Sequence, residues 1–338
     1  MKPLSQALLA LAAVTPFAAS AAVGVDPALP AYRPQAVQVP AGARYVLPDG
    51  SVRIVGAEHA APMIEKFDAL FQRAHPEVRF TPVLRGTTTA MPALTHGVSL
   101  FGPSGRDATP VELVPYKKLV GGAPIALRVA HASHVSDKAG QSLAVFVHKD
   151  NPLQQITLEQ LQRVFTAGNA KGDLSDWGQL GLTGEWAHRP IHTYGTPEYT
   201  GFGAYLQVTY FHGQPVKSSQ QMAGNSKLIT QGISDDAQGV GIASLAFAGP
   251  QLKALPIVDA QGRAIAATPE HAVAGEYPLG RYLYFFVRKQ PGQALDPLVK
   301  EYMRLVLSRE GQEIVASDPE GYLPLTAAQA ATELEKLQ

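Results

Sequence analysis

Short β-branched runs and longer amphipathic runs alternate along most of this chain, which confines it to βαβ units wound on a largely parallel sheet. VRIVG at 52–56 precedes a helical pattern over 62–75, and VRFTPVL at 78–84 precedes a Thr-rich turn and a helix over 90–97. A second block opens with the buried-strand run LAVFVHKDNPL at 143–153, after which Thr157 and Gln160 form a capping box for LEQLQRVF. RPIHTYG at 189–195 and QGVGIASL at 238–245 read as further strands, with the helix FGAYLQVTYF following the first of them. YPLGRYLYFFVRK at 277–289 is strongly β-prone and leads to a final helix over 298–316. The Pro-Asp-Gly turn in LPDGSV at 47–52 predicts a hairpin into the first strand.

A chain of 338 residues with 46% hydrophobic residues is long enough for two cores, and two lobes are expected. Lys plus Arg equals Asp plus Glu at 28 each, so no global field draws it to nucleic acid or an acidic membrane, and any charge selectivity is local. Residues 1–21 carry an early Lys, an apolar run at 7–17 and small residues at Ala19 and Ala21, the pattern of a cleaved secretory signal. Pro16 interrupts that run well short of the roughly 20 apolar residues of a membrane anchor. The absence of Cys excludes both disulfides and a lipid-anchored N-terminal Cys, so a free protein of the periplasm or the exterior is expected. Residues 22–50 are Pro- and Ala-rich and read as an extended lead-in.

Strand-to-helix junctions leave backbone N–H groups uncovered at the positive end of a helix, a ready site for an anion. Such junctions fall at GAEHA (56–60), RGTTTAM (85–91) and YGTPEYTGFGAY (194–205), while FGPSGRDATPVEL (101–113) puts Ser104 and Arg106 in a tight turn. Singly, Ser, Thr and Gly before a helix are ordinary caps. Gathered beyond the carboxyl ends of the strands, they would make a pocket.

The order of these segments resembles that of the phosphate-binding proteins of ABC importers, two-lobed periplasmic receptors with a type II substrate-binding fold. The resemblance rests on LAVFVHKDNPLQQITLEQLQRVFTAG, SDWGQLG at 175–181, RPIHTYGTPEYTGFGAY, YPLGRYLYFFV and SREGQEIVASDPEGYLPL at 308–325, and spans residues 51–325. It implies two α/β lobes with mixed sheets and flanking helices: residues 51–140 and 271–338 in one lobe, 141–270 in the other. Crossovers are expected near 138–143 and between 250 and 278. It further implies a small oxyanion, phosphate first, bound between the lobes of a monomer, no cofactor, and a membrane permease as partner.

Carried across residue by residue, the family's first turn keeps Gly56 but has Ala57, Glu58 and His59 where hydroxyls are usual. The second matches Gly86 with Thr87, Thr88 and Thr89; the third matches Gly102, Pro103, Ser104, Gly105 and Arg106. In the fourth, Thr196 stands where an Arg is usual, followed by Thr200, Gly201 and Phe202. The implied ligand set is therefore Gly56, Ala57, Glu58, His59, Thr87, Thr88, Thr89, Ser104, Gly105, Arg106, Thr196, Thr200, Gly201 and Phe202. A buried oxyanion is held by charge-assisted hydrogen bonds of about 1.5–3 kcal/mol each, so losing Arg at 196 and gaining Glu58 both weaken the site. Three arrangements relieve Glu58: facing solvent, protonation, or pairing with Arg106. A cationic His59 would restore part of the charge.

The sequence also bears on other chemistries. His131 and His134 form H-x-x-H, but no carboxylate follows at zincin spacing, so no metal is expected. No nucleophile elbow, P-loop or Cys nucleophile occurs, and a binding protein is expected rather than an enzyme. The altered pocket also fits a binding-protein fold turned to another ligand or to an interaction role. Tyr194, Tyr199, Phe202 and Tyr205 could wall a cleft, though core packing suits Phe202 and Tyr205.

Overall fold

The computed structural model describes residues 24–40, 42–136 and 141–338. The expected signal segment, residues 1–21, and residues 138–140 of the expected first crossover lie outside the described residues.

In chain order the first lobe-forming stretch runs β1 (Val52–Gly56), α1 (Ala61–Ala74), β2 (Phe80–Leu84), α2 (Ala90–Thr95), β3 (Gly102–Ser104), α3 (Pro110–Val120) and β4 (Ile125–His131). The middle stretch runs β5 (Leu143–His148), β6 (Ile156–Thr157), α4 (Leu158–Phe165), β7 (His192–Gly195), α5 (Gly201–Thr209), β8 (Gln221–Met222), α6 (Ser226–Ser234), β9 (Gly239–Ser244), β10 (Leu252–Leu255), β11 (Ile257–Val258), β12 (Ala264–Ile265) and α7 (Pro269–Val273). The chain closes with β13 (Tyr282–Val287), α8 (Pro297–Val306), α9 (Arg309–Ala316) and α10 (Ala327–Glu335).

β1 and β2 pair in parallel, and backbone bonds from Leu100 to Arg53 (2.9 Å) and from Ala57 to Pro103 (2.9 Å) carry β1 on to the β3 segment. β13 returns from the far end of the chain between β3 and β4, antiparallel to both. The middle stretch builds a separate five-stranded mixed sheet in the order β10-β5-β9-β7-β8. β5 is buried over Leu143–Val147 and β9 throughout, which is why both run as continuous apolar or small residues instead of alternating.

The buried side chains divide accordingly. One core gathers Ile54, Phe67, Phe71, Phe101, Leu127, Phe285, Tyr302 and Tyr322, drawing on both ends of the chain; a second gathers Val145, Leu161, Phe165, Trp177, Val240, Ile242, Tyr277 and Leu279. Ring contacts knit the first: Phe101 stacks on Phe285 at 4.7 Å and meets Tyr302 at 4.9 Å. The lead-in belongs with the first core, where Leu29 and Tyr45 are buried and the Tyr32 hydroxyl donates to Glu301 at 2.8 Å.

Several boundaries differ from expectation for local reasons. Leu279 packs in the second core and Leu283 in the first, so the chain passes between them at 280–282, later than the crossover expected between 250 and 278. The single final helix is two, because the Ser308 hydroxyl caps the Gly311 amide at 3.2 Å and Gly311 sits where any Cβ would overlap the carbonyls of Leu305 and Val306. α3 and α10 lie outside the expected elements: α3 is polar or exposed over most of its length, with only Tyr116 and Val120 buried. By contrast, the Thr157–Gln160 capping box forms as expected, with bonds of 2.9 and 3.0 Å, and Val46 bridges to Val52 across the 47–51 turn.

Candidate functional site

A cleft of about 650 Å³ is lined by His59, Thr87, Thr88, Gly105, Arg106 and Arg281 on one side and by Thr196, Thr200, Phe202, Asn225, Ser226 and Lys227 on the other, with Gln141, Gly224 and Phe247 completing it. The first group comes from β1, β2, β3 and the start of β13; the second from the ends of β7 and β8, where α5 and α6 begin. The topology explains the meeting. β7 and β9 run parallel, and so do β1 and β2, so the turns at their carboxyl ends emerge on one side of each sheet.

Close backbone packing brings the turns together. Ala57 donates to the Pro103 carbonyl at 2.9 Å, and Gly56 has no room for a Cβ against Pro103. A Cβ on Gly105 would stand 2.8 Å from His59 Nε2, so the first and third turns meet only because residue 105 is Gly. The Gly105 amide in turn donates to the Thr87 hydroxyl at 3.3 Å, tying in the second turn. On the other wall the Thr200 hydroxyl accepts from the Gly203 amide at 2.9 Å and donates to the Pro197 carbonyl at 2.8 Å, a capped start to α5. Asn225 caps α6 in the same way, accepting from Leu228 at 3.0 Å.

The electrostatics depart from what the residue types suggest. Arg106 forms a bidentate pair with Glu112, 2.8 and 2.9 Å, with both side chains nearly buried. Burial pushes the Glu112 carboxyl up, but the bonds from Arg106 and from the Thr109 amide and hydroxyl more than offset it and leave it below its ordinary value. The guanidinium is thus largely neutralised from within. Burial also lowers the His59 pKa, outweighing the pull of Glu58, so the ring is neutral at neutral pH and the expected cation is not there. Its Nδ1 lies 2.6 Å from the Tyr322 hydroxyl.

Glu58 is exposed at the rim beside Gly86 and does not line the cleft, which corrects its place in the ligand set and selects the solvent-facing arrangement over pairing with Arg106. Four more expected contacts also fall behind the wall. Gly56 and Ala57 are buried, the Thr89 hydroxyl turns back to the Gly86 carbonyl at 2.8 Å, and the Ser104 hydroxyl donates to the Arg106 carbonyl at 2.7 Å. Gly201 is the first residue of α5, directly after the Thr200 cap. His59, Thr87, Thr88, Gly105, Arg106, Thr196, Thr200 and Phe202 do line it. Thr196 is 5% exposed and its hydroxyl has no hydrogen-bond partner among the described residues.

Sequence reasoning missed Gln141, Gly224, Asn225, Ser226, Lys227, Phe247 and Arg281. Asn-Ser-Lys before LITQGI carried an N-cap signal that could have located α6, whereas Arg281 sits in a run that reads only as strand. Of the aromatics, Phe202 lines the cleft, Tyr199 is 91% exposed, Tyr194 donates to Asp236 at 3.0 Å, and Tyr205 lies beneath Arg281. His131 ends β4 and its Nε2 lies 3.1 Å from the Gln329 side chain; among the described residues no cluster of three or more His, Asp or Glu could hold a metal. No helix among the described residues is long and apolar enough to cross a membrane.

Two cores flanking one polar cleft, with strand-to-helix turns aimed into it, define the class: a two-lobed α/β binding-protein fold. The chain matches the PBP superfamily domain over residues 44–310. It is 33% identical over 325 residues to the phosphate-binding protein PstS of Pseudomonas aeruginosa, covering 95% of this chain and 94% of that one. Among solved structures it resembles PstS from Borrelia burgdorferi (TM-score 0.57, 16% identity, 81% of this chain and 98% of that chain). It also resembles an ABC-type phosphate transport receptor from Vibrio cholerae (TM-score 0.55, 18% identity, 81% of this chain and 99% of that chain). The chain belongs to the PBP superfamily and, within it, to the phosphate-binding protein family.

Proposed function

We propose that this protein captures phosphate in the interlobe cleft and delivers it to the membrane permease of an ABC importer. The observation that carries the reading is the convergence of four strand-to-helix turns on one cleft, one of them bearing a buried Thr196 hydroxyl that finds no partner among the described residues. A buried polar group left unpaired costs about 1–3 kcal/mol, and an oxyanion acceptor would remove that cost. Thr87 and Thr88, with the amides opening α5 and α6, supply further donors suited to a tetrahedral anion. The 33% identity to a named phosphate-binding protein supports phosphate among oxyanions. Enclosure is by closing of the lobes about the crossovers, a hinge motion of microseconds to milliseconds. The apolar run and small residues of the N-terminus support export to the periplasm with removal of residues 1–21. Binding involves no chemistry, and a monomer suffices, with the rims of the two lobes left to meet the permease.

Calorimetric titration of the mature protein with phosphate, sulfate and organic phosphates tests this. Saturable phosphate binding at one site, with sulfate weaker, is expected. Silence toward every oxyanion overturns the reading in favour of a fold turned to another ligand, and hydrolysis of a phosphate ester would bring catalysis forward instead.

A further inference from the structure

The cleft has a deficit of positive charge. Arg106 is bound to Glu112, His59 is neutral, the fourth turn carries Thr196, and Lys227 is an exposed side chain on the rim of the second wall. One lining guanidinium remains. Arg281 lies in the crossover between Leu279 of the second core and Leu283 of the first, and it has no carboxylate within ion-pairing distance among the described residues.

Its position is fixed from three directions. Nη1 donates to the Gln141 carbonyl at 3.0 Å, next to the first crossover, and Nη2 donates to the Gly105 carbonyl at 2.9 Å in the third turn. The guanidinium carbon Cζ lies over the Tyr205 ring, 4.4 Å from its centroid, and Tyr205 is 6% exposed on α5. Carbonyl oxygens orient the group without cancelling its charge, and stacking on an aromatic ring further stabilises a cation there. Each terminal nitrogen has a second N–H beyond these carbonyl bonds, and Nε is buried with no hydrogen-bond partner among the described residues. Asp107 is the acid that feels Arg281; burial raises its pKa, and it bonds to Tyr284 and does not ion-pair with Arg281.

We infer that Arg281 is the ligand-binding cation of this cleft, a guanidinium presented from the interlobe crossover that supplies the charge the fourth turn lacks at Thr196. The inference rests on the oxyanion reading above. It assigns the main electrostatic attraction to the one segment that both lobes share, so a bound anion would be held at the hinge while the threonine-bearing walls close over it.

Phosphate titrations of the wild type, Arg281→Gln and Arg281→Lys, each at low and moderate salt, decide the matter. Loss of a charge-assisted contact predicts that Arg281→Gln binds at least about tenfold more weakly and loses most of the salt dependence, since the screened charge is gone. Arg281→Lys keeps a cation and is expected to fall between the two, with the salt dependence retained. A purely structural role for the fork predicts otherwise: Lys cannot bridge both carbonyls and stack on Tyr205, so Lys and Gln would be equally impaired and equally salt-sensitive, and that outcome overturns the inference. Wild-type affinity in Arg281→Gln also overturns it while leaving phosphate binding intact. Failure of the wild type to bind any oxyanion overturns both.

Discussion

The Thr196 hydroxyl offers a substitution whose effects on stability and on binding run in opposite directions. Thr196→Val keeps the β-branched outline and removes only the oxygen. That oxygen is buried, at 5% residue exposure, and has no partner among the described residues. In the ligand-free protein an unpaired buried hydroxyl costs about 1–3 kcal/mol, so its replacement by a methyl group should raise the unfolding free energy by up to that amount. With phosphate bound, the lost bond to a charged acceptor is worth about 1.5–3 kcal/mol, or roughly 10- to 150-fold in dissociation constant. The two meet in a thermal melt. At phosphate one hundred times the wild-type dissociation constant, binding adds about 2.7 kcal/mol to wild-type stability; a tenfold weaker variant at the same concentration gains only about half as much. The variant should therefore melt higher than wild type without phosphate and show a smaller phosphate-induced rise. A lower melting temperature without phosphate, or an undiminished rise with it, would refute the argument that this hydroxyl is an idle donor awaiting the ligand.

Two further perturbations probe the scaffold that positions the site. Asp68 on α1 is buried and accepts the Tyr302 hydroxyl at 2.6 Å; burial lifts its pKa from 3.8 to about 7. Because the folded form binds this proton more tightly, its stabilisation is complete below 3.8 and is lost as pH rises through about 7. A difference of about three in pKa corresponds to ~4 kcal/mol, so Asp68→Asn, which retains an acceptor for Tyr302, should be more stable than wild type at alkaline pH by up to that amount. Urea unfolding across the pH range reads this directly, and identical pH profiles for the two proteins would contradict it. On the second wall, a Cβ at Gly203 would overlap the Pro197 carbonyl oxygen. Gly203→Ala should push the Pro197–Thr200 turn outward, costing about 1–3 kcal/mol and most of the phosphate affinity, with an unaltered titration as the contrary result.

How legible the site was depended on the kind of signal each residue carries. Thr87, Thr88, Gly105, Thr196, Thr200 and Phe202 stand at strand-to-helix junctions, where local sequence announces both the turn and its free donors, and each lines the cleft. Glu58 shares such a junction yet faces outward, because a 3₁₀ turn over Glu58–Ala60 rotates it to the rim while His59 turns inward against Gly105. Arg106 was legible as a residue of the third turn but not as the partner of Glu112, six positions on, since α3 went unnoticed and the capping role of Glu112 with it. Nothing around Arg281 distinguishes it from any polar residue at the start of a strand.

Periodicity, caps and turn residues are properties of neighbouring positions, so this chain's own sequence determined its α/β alternation, its capping box at Thr157 and the existence of the four turns. The pairing of β13 with β3 and β4, and the point at which the chain passes from one core to the other, bring together residues more than 150 positions apart, as the Arg281–Gly105 bond across 176 positions illustrates. Which charges survive in the cleft was decided there, because a guanidinium is cancelled or left available by whatever carboxylate the folded chain places beside it, and that neighbour is chosen by packing and not by local sequence.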